Sequence, residues 1–392
     1  MLHTLPDEVL AKCLAILPHV ELLDVQRVCK SWVKLRRSKE FRVARAAVDE
    51  HALVVTNWTD AGDCTNLGTY ALVGGSWRKM APNDVTLMTG AATSFRGDFI
   101  IIGNGEPPRA YDDRTWPEAW HSGCAFNVET NSWRPLEWAP GVQDRLVIGV
   151  TSTDAMVVAL CGENRPDDLS RYDFALKCYK PGADHTNQID GWRLLPMPPV
   201  HAWGIGRIPL CLVGDVLYLV GGVNADEAPP PWPASTMLQA LDMNTLEWTI
   251  GPPMPEPRVE GLAVAADGKL FVLGGFSEYG HDWPPIENLS SVYSFDPRTA
   301  TWRSEPDVPR CATEPRLPDP PWPGAWGNGM NAVAHEGKVC VFGIENSPPL
   351  ALADGVWTGL PSLPDEYCFG YGRKLHNPSA NRDPMLGSVP LP

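Results

Sequence analysis

Apolar residues fall in short runs along most of the chain, each run closed by glycine, asparagine or aspartate. The clearest stretch is Leu212-Val-Gly-Asp-Val-Leu-Tyr-Leu-Val-Gly-Gly222. It reads as a strand, a tight turn at Gly214-Asp215, and a second strand running into two glycines. Leu241-Asp-Met-Asn-Thr-Leu-Glu-Trp248 then reads as a strand, a turn at Asn244-Thr245, and a strand opening on Trp248. Together they predict one four-stranded antiparallel unit.

The unit recurs. A tryptophan followed by a proline-rich exit stands at Trp77, Trp133, Trp192, Trp248, Trp302 and Trp357, at steps of 56, 59, 56, 54 and 55 residues. A fixed period of this length predicts a solenoid or propeller, because one unit cannot bury both of its faces alone. The first repeat, His51–Thr56 with Thr69–Gly75 before Trp77, is one strand short. The later repeats show the missing strand at Leu87–Phe95, Arg145–Thr151, Arg207–Val213, Gly261–Ala266 and Met330–His335. A spare strand within Asp365–Leu375 is expected to complete the first sheet and close the ring, which removes open sheet edges. The fold class is therefore mainly β, a six-bladed propeller over residues 51–376, with 377–392 as a tail.

The first 48 residues follow a different period. Leu5-Pro6-Asp7-Glu8 places a proline and two acids where a helix N-terminus favours them. Leu10, Leu14 and Leu17 continue at helical spacing to Pro18, and Val25, Val28, Trp32 and Leu35 mark a second apolar stripe. The charge divides at the same boundary. Residues 1–48 hold nine Lys/Arg against five Asp/Glu, +4, and the remainder holds 23 against 42, −19. An acidic body argues against nucleic-acid binding. No apolar run approaches the roughly 18 residues that span a bilayer, and Asp7 and Glu8 interrupt any secretion signal. The ten cysteines are scattered without a C-x-x-C, which predicts free thiols in a reducing compartment, cytoplasmic and/or nuclear.

Leu5-Pro6-Asp7-Glu8-Val9-Leu10, Leu17-Pro18, Leu22-Leu23 and Val28-Cys29-Lys30-Ser31-Trp32 resemble the landmarks of an F-box, in order and at its spacing. That resemblance implies a small three-helix unit docking on a Skp1-type adaptor, and through it on cullin and RING subunits of a ubiquitin ligase. It implies adaptor-binding roles for Leu5, Pro6, Leu10, Leu14, Leu17, Pro18, Leu22, Val28 and Trp32.

The repeats resemble kelch repeats. Leu217–Gly222 and Leu270–Gly275 carry the diglycine, and Asp242-x-Asn244-Thr245-x-x-Trp248 and Asp296-Pro-Arg-Thr299-x-x-Trp302 carry the turn and tryptophan. Gly103-Asn-Gly105, Cys161-Gly-Glu163 and Gly343-Ile-Glu345 replace the diglycine elsewhere, and local strain is expected there.

In a four-stranded blade, the connection between the second and third strands shares a face with the connection into the next blade. The long insertions 105–123, 164–170, 224–235, 276–289 and 310–327 belong to these classes, and 177–191 in the third blade is an exception on the opposite face. Arg109, Trp116, Trp120, Trp232, Trp283, Trp322 and Trp326 lie in them among many acids. That composition suits a protein-binding face for a substrate of basic or mixed charge. The F-box enters on the opposite face. No two of the nine histidines form a metal motif, and Gly-x-Ser-x-Gly and phosphate-binding loops are missing. No catalytic residue, metal or cofactor is therefore expected. The expected role is substrate recruitment, with an interaction scaffold or a propeller metalloenzyme as alternatives.

Overall fold

The computed structural model describes residues 6–15, 17, 35, 38, 40–41, 51–56, 68–82, 89–104, 123–136, 145–165, 168–181, 192–200, 209–223, 232–279, 289–309, 330–344, 347–364 and 385–390. Among them stand one helix, Asp7–Ala15, and six four-stranded antiparallel sheets. The fourth sheet, from its innermost strand outward, is Leu210–Val213, Val216–Val220, Leu238–Asp242 and Trp248–Ile250. The others repeat that order. Their innermost strands are Thr89–Phe95, Arg145–Thr153, Leu262–Ala266, Asn331–His335 and, in the first blade, Met385–Pro390. These six strands contact one another in sequence around a complete circle.

The ring is thus closed by a C-terminal strand, but not the expected one. Met385–Pro390 pairs with His51–Thr56 from Thr56↔Met385 to His51↔Pro390. The supposed tail therefore belongs to the propeller, which runs to residue 390. Residues 365–376 lie outside the described residues. The closing run Met-Leu-Gly-Ser-Val-Pro is short and lacks apolar–polar alternation, since both of its sides enter a core. Met385 and Val389 enter the core against blade 2, whereas Leu386 enters the core against blade 6. Between them, Gly387 faces Phe99, whose ring would lie 2.3 Å from any Cβ placed there.

Each pair of neighbouring blades shares one apolar core, giving six cores around the ring. This explains the unbroken apolar runs. Ala52 and Val54 face blade 2, Leu53 and Val55 face blade 6, and all four are fully buried. A strand buried on both sides loses the polar alternation of a half-exposed one.

The tryptophans join the blades. The Nε1–H groups of Trp133, Trp248, Trp302 and Trp357 donate to the carbonyls of Ala81, Pro196, Pro252 and Pro306 at 2.9–3.0 Å, each in the exit of the preceding blade. Trp77 does the same to Pro361 at 2.8 Å, across the point of closure. The proline-rich exits are therefore the acceptors of the next blade's tryptophan. Each bond is worth about 1 kcal/mol net. The turn before the tryptophan also repeats: the Asp242 carboxylate accepts the N–H groups of Asn244 and Thr245, and Leu246 takes a φ of 62°. Ala300 and Asn131 occupy the same position in blades 5 and 2, at 52° and 50°.

Candidate functional site

Two surfaces are built by this architecture. The first is the helix Asp7–Ala15. The Pro6 carbonyl accepts the N–H groups of Val9 and Leu10, both at 3.0 Å, and Asp7 and Glu8 fill the first turn where the helix dipole favours acids. Leu10, Ala11, Leu14 and Ala15 are buried together with Phe41, and Leu17 and Leu35 pack against them. Phe41 is held by its own turn, its N–H donating to Ser38 Oγ at 3.1 Å.

Leu10 and Leu14 therefore form the interior of the helical unit and not its outer surface. The exposed side carries Pro6, Val9 and Cys13, with Val9 43% exposed. The resemblance to an F-box implies adaptor-binding roles for Leu10 and Leu14, and here both are buried within their own unit. Residues 1–5 and most of 16–50, with Leu5, Pro18, Leu22, Val28 and Trp32, lie outside the described residues.

The second surface is the face of the connections, described best where blade 4 hands over to blade 5. There the exit of blade 4 crosses directly over two glycine pairs. The Gly222 N–H donates to the Arg258 carbonyl at 2.9 Å, the Arg258 N–H donates to the Ser235 carbonyl at 3.1 Å, and Val259 and Phe276 exchange two backbone bonds. A Cβ on Gly221 would lie 2.2 Å from the Arg258 carbonyl oxygen, and one on Gly275 would lie 2.4 Å from that of Val259. Both glycines have positive φ, 71° and 84°. The diglycine thus serves two needs at once, a left-handed turn and room for a crossing backbone.

The Arg258 side chain ties this crossing down and is fully buried. It donates to the Gly274 carbonyl at 2.8 Å, to Ser291 Oγ at 2.9 Å and to Glu256 Oε2 at 3.2 Å, and it lies over the Tyr293 ring. Ser291 Oγ also donates to Glu256. Burial pulls the guanidinium down to about 10, while Glu256 and Tyr293 act to raise it, so it stays charged at neutral pH. Val223, Ala234, Val259 and Phe276 make a small satellite core beneath the crossing. Trp232-Pro233 pairs with Glu278-Tyr279 as a two-stranded ribbon joining the insertions of blades 4 and 5.

Of the expected face residues, the structure places the Trp232 backbone in this ribbon. Arg109, Trp116, Trp120, Trp283, Trp322 and Trp326 lie outside the described residues. The insertion expected at 164–170 differs from the expectation. In blade 3 the second strand runs on to Arg165 and the third begins at Asp168, in register from Glu163↔Asp173 through Cys161↔Ala175. The ladder thus continues through Cys161-Gly-Glu163, where a turn away from the sheet was expected. Among the described residues, no three His, Cys, Asp or Glu side chains are grouped to hold a metal ion.

Comparison with known proteins agrees with both parts. Residues 2–42 match the F-box domain, and residues 257–309, which contain the Arg258 crossing, match the Kelch motif. An F-box/kelch-repeat protein of Arabidopsis thaliana is 36% identical over 89 residues, 23% of each chain. A second from the same plant is 28% identical over 194 residues, 47% of this chain and 46% of the relative. A Kelch-like protein of Aspergillus terreus is 31% identical over 128 residues, 31% of this chain and 27% of that one. The matched parts span less than half the length of these relatives. With a helical unit matching one family, a crossing segment matching the other and six blades closed into a ring, the chain is an F-box/kelch-repeat protein.

Proposed function

We propose that this chain is the substrate-recruiting subunit of a Skp1–cullin–F-box ubiquitin ligase, holding the adaptor through its F-box and the protein to be modified through the connection face of its propeller. The observation that carries the reading is topological. The F-box leads into the wheel at His51, the start of the second strand of blade 1, and so on the face opposite the long connections. One partner can then be held on each side.

In this reading Leu5, Pro6 and Val9 meet the adaptor directly, and Leu10 and Leu14 hold the helix in place from within. Leu17, Pro18, Leu22, Val28 and Trp32 complete the docking unit. Each aliphatic side chain buried at the interface contributes about 1.5–3 kcal/mol before association costs. On the opposite face Trp232 sits on a paired ribbon, joined by Arg109, Trp116, Trp120, Trp283, Trp322 and Trp326 as anchors for a substrate of basic or mixed charge. Ubiquitin transfer is left to the enzyme brought by the RING subunit. This chain supplies proximity and orientation, in the cytoplasm and/or nucleus.

The test is proximity labelling in cells with the full chain and with a version lacking residues 1–48. Recruitment predicts that the adaptor is labelled only by the full chain, while substrates are labelled by both and accumulate with the shortened one. A scaffold role predicts shared partners whose lifetimes do not change.

A further inference from the structure

The innermost strands of the six blades meet side by side, and small polar groups bridge their seams. Between blades 2 and 3, Thr93 Oγ1 lies 2.8 Å from Ser152 Oγ. Between blades 3 and 4, the Leu212 N–H donates to Thr151 Oγ1 at 3.1 Å. Between blades 4 and 5, the Cys211 thiol takes a hydrogen bond from the Ala265 backbone, and burial pushes that thiol up to about 12, so it stays neutral. These groups do not change charge near neutral pH.

The closing seam is different. His335, the last residue of the inner strand of blade 6, places Nδ1 3.0 Å from Ser388 Oγ on the closing strand. The imidazole is buried. Around it stand Glu336, with Oε1 3.9 Å from Nε2, and Lys338, its partner across the hairpin. His51 approaches from blade 1, and it and Lys338 oppose protonation of His335. Asp267, on the turn of blade 5, lies against Gly337. The closing strand Met385–Pro390 and the inner strand of blade 5, Leu262–Ala266, carry no ionisable side chain. A proton on His335 therefore meets burial first; among the charged neighbours Glu336 favours it most, and His51 and Lys338 oppose it.

We propose that this seam is an acid-sensitive latch: protonation of His335 releases the closing strand from blade 6 and opens the wheel at blade 1, the blade that the F-box chain enters. The hydrogen bond to Ser388 alone does not decide this, since a serine hydroxyl can accept as well as donate. The buried charge decides it. Burial is the main cause holding His335 below the ordinary histidine value of 6.5, so the open form takes up the proton more readily. The stabilisation is then complete above that value and drains away as the pH falls below it towards the pKa of the closed form.

The experiment is hydrogen exchange of the full chain followed by mass spectrometry at about pH 7.5 and about pH 5.5, the range over which a histidine changes charge, corrected for intrinsic rates. Peptides covering Met385–Pro390 and His51–Thr56 are expected to lose protection on acidification, by up to about tenfold per pH unit, the limit for one proton. The inner strands of blades 3, 4 and 5 keep theirs. In His335→Gln the pH dependence at the seam disappears. In Ser388→Ala protection is lower throughout and the pH dependence remains, a readout that stands even if the first variant does not fold. The proposal is overturned if wild-type seam peptides show no acid-dependent loss, if all six blades lose protection together, or if His335→Gln retains the dependence.

Discussion

In blade 5 the second strand stops at Leu273 and two glycines turn the chain away, whereas in blade 3 the second strand runs through Cys161, Gly162 and Glu163 to Arg165. The two blades share the same order of strands and the same tryptophan at the outer edge. They differ at the end of that second strand. In blade 5 the incoming segment around Val259 lies over it, so close that Gly275 has no room for a side chain. The glycine pair is therefore a mark of a crossing. In blade 3, where Cys161-Gly162 stands in place of the pair, the hairpin grows, whereas in blade 6, where Gly343-Ile344 does, the strand stops at Phe342, so losing the pair permits a longer ladder without enforcing it.

This comparison can be broken from either side. The largest effect is expected from Gly221→Val, which drives a Cβ into the Arg258 carbonyl at a φ that valine avoids, with no flexible atom to yield. Denaturant unfolding should show a loss of about 4 kcal/mol or more, the range reserved for such backbone conflicts. Arg258→Met follows. It leaves Glu256, Ser291 and the Gly274 carbonyl without their donor, and because Glu256 is partly exposed the loss should be about 3 kcal/mol, the lower end for a broken buried pair. Gly214→Val, in a left-handed turn where nothing lies within 4 Å of the added Cβ, should cost about 1–2 kcal/mol. Equal losses at Gly221 and Gly214 would show that the crossing is not the reason for the glycine at Gly221.

Smaller effects test how the blades are joined. Trp248→Phe keeps the ring in the core between blades 3 and 4 but removes the bond to the Pro196 carbonyl, for a loss of about 1 kcal/mol in the same unfolding assay. Ala300→Gly should raise stability by about 0.5–1 kcal/mol, because alanine holds a φ of 52° that glycine adopts without strain.

The periodic part of this fold was legible because its causes are local. Trp248 with its preceding Asp242 turn, the tight turn at Gly214 and the apolar strands repeat wherever the same geometry is needed. The missing strand of blade 1 could be inferred from His51–Thr56 lacking an inner neighbour. Its identity could not, since Met385–Pro390 is picked out by fit against Phe99, Leu53 and His335, contacts far away along the chain. The Arg258 crossing was hidden for a similar reason: the residue reads as one more loop cation, and only its buried partners reveal a tie. On the helix, spacing marked Leu10 and Leu14, and spacing alone does not say whether an apolar stripe faces its own core or a partner. Phe41 supplies the answer, twenty-seven residues beyond Leu14.

The central claim is that the outer side of the first helix is the adaptor's docking surface while the wheel stands without it. Calorimetric titration of the purified full chain with a purified Skp1-type adaptor tests this most directly, beside a Pro6→Ser, Val9→Asp variant. The account predicts one-to-one binding by the wild type, loss of binding by at least about a hundredfold in the variant, equivalent to about 2.7 kcal/mol, and unchanged thermal unfolding of the propeller. Absence of wild-type binding, or a variant that binds as well as the wild type, would contradict it.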